Sequence, residues 1–228
     1  MKSYYDEVTD LEWVTFNRST APYDPQYQDF IEQINTWSAN ENIRKFICQS
    51  YRTGTLIDDF FQGLDNTDFF FALRDNELVA ATLLSQDTPL SREDQLVDYL
   101  YFKRYEDKPQ EMVTIEGEEY LDFDDTVDLL NNKNKENTYI EYILVNPKYH
   151  GKGIGTAITN CIKRNLDFFS QGKDVGVLQA SIDNENIASR KAILKNGFKK
   201  MKPHNKKYPF STYYYCVQKQ RGDSHEKL

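Results

Sequence analysis

Between residues 139 and 170, a β-rich run, a glycine-rich turn and an amphipathic stretch follow one another directly. The run from Tyr139 to Val145 is rich in residues that favour strands, and Asn146-Pro147 ends it. A turn with three glycines follows, and apolar residues then recur at helical spacing until about Ser170. This order predicts a strand that passes through a tight turn into a helix.

The predicted turn has the features of a phosphate-binding loop. A helix start offers free backbone N–H groups and the positive end of the helix dipole, and glycines let the backbone approach a pyrophosphate. The segment His150-Gly151-Lys152-Gly153-Ile154-Gly155-Thr156 is neither a Walker A loop nor G-x-G-x-x-G, because Thr156 replaces the third glycine. The loop alone therefore predicts a phosphate-bearing ligand without naming it.

The remaining periodicities predict strands and helices on both sides of this unit. Before it we expect a strand over 11–16, two or three helices over 26–64, and a hairpin of strands 69–73 and 78–84. After it we expect a strand over 175–182, a helix over 184–196 ended by Gly197, and closing strands over 198–201 and 211–217. The 228 residues fit one domain over 1–228.

Residues 87–137 form an insertion with a strongly acidic composition. Between Glu93 and Asp128 there are thirteen acids and three bases, so this stretch carries −10 while the whole chain carries −8. Two interpretations stay open: a hydrated excursion, or an acidic lid that attracts an amine. No basic face is evident, which argues against nucleic-acid binding and favours a cationic small molecule or peptide.

Membrane, metal and disulfide roles find no support in the sequence. No apolar run of 18 residues could span a membrane and no secretory signal is present, so we expect a cytoplasmic protein without membrane partners. Cys48, Cys161 and Cys216 show no ligand spacing, which predicts reduced thiols and no metal. Cys161 falls on an apolar helix stripe, so a core thiol is favoured over an acyl-carrying nucleophile.

Two segments together resemble a known family. Residues 145–155, Val145-Asn146-Pro147-Lys148-Tyr149-His150-Gly151-Lys152-Gly153-Ile154-Gly155, resemble the Val-x-Pro-x-x-(Arg/Gln)-Gly-x-Gly-x-Gly signature of Gcn5-related N-acetyltransferases (GNAT). Residues 186–198 resemble the family's later Asn-x-x-(Ser/Ala)…Gly-Phe segment. The resemblance implies an α/β (α+β) fold with a mixed, mostly antiparallel central sheet flanked by helices. It also implies acetyl-CoA as co-substrate.

The resemblance also implies which residues bind the co-substrate. Backbone amides of the glycine turn would hold the pyrophosphate, the strand edge would pair with pantetheine, and the later helix would reach both. The implied residues are Ile143, Leu144, Val145, His150, Gly151, Lys152, Gly153, Ile154, Gly155, Thr156, Asn186 and Ser189. His150 departs from the usual Arg or Gln, and Ile193 stands where many relatives have a tyrosine that protonates the leaving thiolate.

Proton transfer needs residues outside the signature. Relatives often place their base four or six residues before the position of Val145, which are Glu141 and Tyr139 here, and strand alternation would put all three on one face. Glu141 is either this base or a structural carboxylate. Tyr214, in the aromatic cluster 213–215, is either a core residue or the acid that protonates the thiolate.

These observations favour an N-acetyltransferase in which an amine attacks acetyl-CoA directly in a ternary complex. A non-catalytic acyl-CoA-binding or regulatory domain is the alternative, because Ile193 lacks a hydroxyl. A nucleotide-dependent oxidoreductase is a third interpretation, which the glycine spacing disfavours. A homodimer through the closing strand is compatible with the resemblance.

Overall fold

The computed structural model describes residues 1–17, 20–46, 67–87, 112–115, 118–121, 135–200 and 210–217. The strands are β1 (Lys2–Asp6), β2 (Leu11–Thr15), β3 (Thr67–Arg74), β4 (Glu77–Asp87), β5 (Met112–Ile115), β6 (Glu118–Leu121), β7 (Glu136–Val145), β8 (Val175–Asp183), β9 (Lys199–Lys200) and β10 (Phe210–Cys216). The α-helices are α1 (Pro25–Ser38), α2 (Glu41–Arg44), α3 (Ile154–Arg164), α4 (Leu166–Phe169) and α5 (Ile187–Lys195).

Eight strands of the described residues form one sheet in the order β1-β2-β3-β4-β7-β8-β10-β9. Its neighbouring strands are antiparallel except for β7 and β8, which are parallel. The mixed, mostly antiparallel sheet flanked by helices is therefore confirmed. Strands β5 and β6 pair separately within the acidic insertion, most of which lies outside the described residues, as do residues 47–64 of the predicted helices.

The sheet buries one hydrophobic core on each face. One core joins Trp13 and Phe70 of the sheet to Ile158 and Ile162 of α3 and to Phe169 of α4. The other core packs α1 against the opposite face. Its members include Phe30, Ile31, Ile34, Phe71, Leu83 and Leu144. Because adjacent strand residues face opposite sides, Phe70 and Phe71 enter different cores.

Several elements differ from the sequence-based expectation. The described N-terminal residues include β1, an edge strand that is mostly exposed and carries no apolar alternation to reveal it. The helix expected through Ser170 is broken at Asn165, whose φ of −122° and ψ of 41° are not helical and whose side chain donates to the Cys161 carbonyl. Strand β7 begins at Glu136, three residues early.

A β-bulge interrupts β7 at Glu141. On β4, Leu83 lies opposite Tyr142 while Leu84 lies opposite Ile140, so Glu141 is an extra residue. A bulge breaks the alternation of side chains. Accordingly Ile140, Ile143 and Val145 all contact the α3 core, and the expectation that strict alternation runs from Tyr139 through Glu141 to Val145 is wrong.

The described part of the chain contains no helix that is long and apolar enough to cross a membrane. Within the same residues, no three His, Cys, Asp or Glu side chains are grouped as metal ligands would be.

Candidate active site

A cleft opens where β7 and β8 part. Their parallel pairing runs from Glu136 opposite Val175 to Tyr139 opposite Gln179, and the cleft of about 550 Å³ lies beyond that point. It is lined by Asn42, Ile43, Phe46, Tyr139, Ile140, Glu141, Tyr142, Ile143, Leu144, Val145, Tyr149, His150, Gly151, Gly153, Ile154, Gly155, Thr156, Thr159, Ala180, Ser181, Ile182, Asp183, Asn186, Ala188, Ser189, Ala192 and Ile193. The lining includes residues of both cores, so the cleft passes through the sheet.

The glycine turn forms one end of the cleft. Gly151 and Gly153 have φ values of 74° and 80°, a left-handed conformation that other residues rarely adopt, and a Cβ added at either would meet nothing within 4 Å. Gly153 is the N-cap of α3 and provides no side-chain cap. The first-turn amides of α3 therefore lack an acceptor within the helix, and the space beside both glycines is open, as an anion site requires.

The segment between β7 and the turn is held against the sheet. The Asn146 side chain accepts from the Lys148 N–H and donates to the Leu78 carbonyl, and the Asn146 N–H donates to the Val79 carbonyl. The Lys148 ammonium and the Tyr149 hydroxyl donate to the Glu77 carboxylate, at 2.8 and 2.9 Å. These two hydrogen bonds lower the pKa of Glu77. The turn is thus anchored to β4.

His150 is directed at the end of β7. Its Nε2 lies 2.8 Å from the Val145 carbonyl oxygen, which can only accept, so Nε2 carries a proton and donates. The exposed imidazole thereby connects the first residue of the turn to the strand edge.

Helix α5 forms the opposite wall. Asn186 is its N-cap, with Oδ1 accepting from the Ser189 N–H at 3.1 Å, and both residues line the cleft. Ile193 also lines the cleft and is buried, so an aliphatic side chain occupies this wall position.

The bulge places a carboxylate in the cleft. The Ser85 hydroxyl of β4 donates to Glu141 Oε1 at 2.6 Å, and Glu141 is half-buried. Tyr139, one residue before Ile140, is also half-buried and lines the same cleft. Both residues expected near the reacting atoms therefore share one cavity.

Other residues singled out in the sequence lie elsewhere. Tyr214 is 1% exposed and is not part of the cleft lining, and Lys152 has its ammonium 5.2 Å from the centroid of the Tyr149 ring. Cys161 is fully buried in the α3 core, and burial, followed by the neighbouring Asp6, raises the pKa of its thiol to about 12. A core thiol is what the structure shows at this position.

Several lining residues escaped the sequence analysis. Asn42, Ile43 and Phe46 reach the cleft from α2 and the residues after it, and Tyr142 adds a phenol from β7. Only the helical period of Ile43 and Phe46 was visible in the sequence, and that period says nothing about which cavity a helix adjoins.

A family profile decides the assignment. The acetyltransferase (GNAT) domain profile matches residues 8–199, which is most of the chain. The chain belongs to the GNAT acetyltransferase family. In this GNAT domain the parted parallel strands, the glycine turn and α5 are the elements that surround the cleft. Acetyltransferase activity is the activity that the family indicates.

Solved structures share the fold of this GNAT domain. An aminoglycoside N(6′)-acetyltransferase from Legionella pneumophila superposes with a TM-score of 0.54 at 11% identity, covering 91% of this chain and 92% of its own. A spermidine N-acetyltransferase from Vibrio cholerae, in complex with CoA and spermine, gives 0.51 at 11% identity, covering 92% and 96%.

A third structure is an acetyltransferase from Salmonella typhimurium that modifies the N-terminal serine of ribosomal protein L7/L12. It gives a TM-score of 0.50 at 12% identity, covering 92% of this chain and 96% of its own. At such identities the likeness establishes the fold alone. None of the curated proteins matches this GNAT domain significantly by sequence.

Proposed function

We propose that this protein transfers the acetyl group of acetyl-CoA to a primary amine by direct attack in a ternary complex. The observation that carries the proposal is one cleft with the uncapped glycine turn of α3 at one end and the bulged Glu141 of β7 beside it. An anion site and a carboxylate in one cavity are what transfer from a CoA thioester to an amine requires.

The residues present fit the co-substrate. The α3 amides and the open space at Gly151 and Gly153 suit a pyrophosphate. Because the Asn146 N–H points to β4, the backbone groups of Val145 point to the opposite edge, into the cleft. His150 occupies the Val145 carbonyl, which leaves the Val145 N–H to donate to a carbonyl of the pantetheine arm or of the thioester.

Glu141 suits the role of general base. As the amine nitrogen forms its bond to the acetyl carbon, the carbon–sulfur bond breaks, and the proton of the incoming ammonium passes to Glu141 directly or through water. The Ser85 hydrogen bond fixes the Glu141 carboxylate in the cleft, where the transfer would take place. Tyr139 is the second candidate for the same task.

The leaving thiolate needs a proton from another source. Ile193 carries no acidic proton, and Tyr214 does not line the cleft, so we do not assign the acid to either position. Lining hydroxyls that are described include Thr156, Thr159 and Ser189, and a water held by one of them would serve.

Calorimetric titration with acetyl-CoA tests the proposal. We expect micromolar binding that is lost in Gly153→Glu, because the new carboxylate would project into the anion site. Gly172→Glu is the matched control: Gly172 has a φ of 86°, equally open surroundings, and a position outside the cleft lining. Equal loss in both variants would indicate backbone strain, and absence of binding by the wild type would refute the proposal.

The buried Ile193 also favours one other function, a non-catalytic acyl-CoA-binding domain. In that case acetyl-CoA would bind at Gly153, yet release of CoA thiol in the presence of amines would stay slow and would not change in Glu141→Gln. Catalysis predicts amine-dependent release that this substitution slows by about a hundredfold or more.

A further inference from the structure

The cleft has an apolar wall on its α1 side. Ile43, Phe46 and Tyr142 line it there, and all three are half-buried, whereas most large apolar residues of the neighbouring core are almost fully buried. Ile43 and Tyr142 also pack against the α1 core, which fixes their positions. We call these three residues the apolar wall. Their exposed apolar surface is available to a ligand in the cleft.

The apolar wall adjoins the Glu141 carboxylate at the bulge. Glu141 and Tyr142 are consecutive, and the bulge directs both into the cleft. The other described acid of the lining, Asp183, ends β8 beside α5 and accepts from the Glu185 N–H. Among the described lining residues none is Lys or Arg. Of the two acids in the described lining, Glu141 is therefore the one next to the wall.

From this arrangement we infer that the acceptor is a monoamine whose carbon skeleton next to the amine is apolar or aromatic. The inference rests on the proposed function and specifies its substrate class. The single ammonium pairs with Glu141 and delivers its proton there. The apolar group of the acceptor covers the apolar wall and removes the surface of the wall from water.

A polyamine fits this wall poorly. A second ammonium lying against Ile43 loses hydration without gaining a partner, and beside Phe46 it is repelled by the Lys45 ammonium, which lies 4.8 Å from the centroid of the Phe46 ring. A small polar monoamine pairs with Glu141 but leaves the apolar surface of the wall exposed to water. Charge and apolar contact are thus separate requirements, and each can be tested with a different amine.

The experiment compares three acceptors: 2-phenylethylamine, spermidine and ethanolamine. Release of CoA thiol from acetyl-CoA is followed with the wild-type protein, and we expect kcat/KM for 2-phenylethylamine to exceed both others by at least about tenfold. Equal or higher kcat/KM for spermidine or ethanolamine would overturn the inference while leaving the proposed function intact. If acetyl-CoA binds but no amine accelerates release, the proposed function itself fails.

Substitutions in the wall test whether its side chains contact the acceptor. Phe46→Ala should raise KM for 2-phenylethylamine about tenfold and leave KM for acetyl-CoA unchanged. Ile43→Ala is the second variant, should Phe46→Ala fold poorly, and it should act in the same direction. Tyr23→Ala, at a side chain that is 87% exposed and outside the cleft, is the control. Identical KM values in all three variants would overturn the assignment of the wall.

Discussion

Glu141 owes its place in the cleft to one inserted residue of β7. Without the bulge, the pairing of Leu83 and Leu84 with β7 would continue in register, and the side chains after Ile140 would exchange faces. The Ser85 hydroxyl then holds the carboxylate in place. The proposed proton-transfer role of Glu141 therefore depends on a register shift between β4 and β7.

At this scale we expect Glu141→Gln to lower kcat by about a hundredfold or more, because the amide cannot accept the ammonium proton. Acetyl-CoA affinity should not change, and steady-state thiol release together with calorimetry separates the two quantities. Glu136→Gln, on the same strand and outside the cleft lining, is the matched control. A kcat similar to that of the wild type would remove Glu141 from the mechanism.

Sequence reasoning located Glu141 but not its geometry. The family resemblance gives its distance from Val145, and strand propensity gives β7, yet the bulge depends on how β4 pairs with β7 across a gap of more than fifty residues. Local periodicity contains no such information. The glycine turn was predictable because its conformation is encoded locally by Gly151 and Gly153.

At the scale of elements, α3 connects the site to the edge of the sheet. Its N-terminus forms the glycine-turn end of the cleft, and beside its C-terminus Arg164 donates to Asp6 of β1 at 2.9 Å while Tyr4 donates to Asn165 at 2.6 Å. The sequence predicted the start of this helix but not its end, since Leu166 and Phe169 continue the apolar stripe through α4.

The Asp6–Arg164 pair should contribute to stability. The Asp6 side chain is 2% exposed and that of Arg164 is 35% exposed, so Arg164→Met leaves a buried carboxylate without its cation. We expect a loss of about 2 kcal/mol in the free energy of unfolding, reduced from the fully buried case by that exposure. Urea denaturation measures it. Lys148→Met, which breaks the exposed pair with Glu77, should change stability much less.

The effect of Arg164→Met should depend on pH. Burial raises the pKa of Asp6, but hydrogen bonds from Thr9 and Arg164 outweigh it, so the net pKa is lowered. A lowered pKa gives stability above the unfolded value, about 3.9, that is lost as pH falls through the folded value. The difference between wild type and Arg164→Met should therefore shrink below about pH 3.9. A constant difference would contradict this assignment.

At the scale of the whole molecule, charge should influence acceptor capture. The net charge is −8, and residues 93–128 carry more than all of it. Clustered negative charge attracts cations over long distances, and dissolved salt screens this attraction. We expect KM for a cationic amine to rise about threefold between ~0.05 and ~0.5 M NaCl with little change in kcat. A salt-independent KM would mean that the insertion does not contribute to attraction.

The overall architecture could be predicted from the order of two sequence motifs rather than from the composition of the chain. The turn at 150–156 and the segment at 186–198 flank β8, and this order indicates the family and, through it, the sheet. The through-sheet cleft with Ile43 and Phe46 on its wall was not accessible to sequence reasoning, because it arises from packing of α2 against distant strands.

The point where β7 and β8 separate also divides the sheet into two parts. Beyond Tyr139 and Gln179, β7 remains bonded to β4 and β8 to β10, so each strand belongs to a different block of the sheet. A ligand that hydrogen-bonds to the Val145 edge and to α5 would substitute for the missing ladder. Substrate binding would thus add a link between two parts of the sheet whose strands β7 and β8 pair at four positions, from Glu136 to Tyr139.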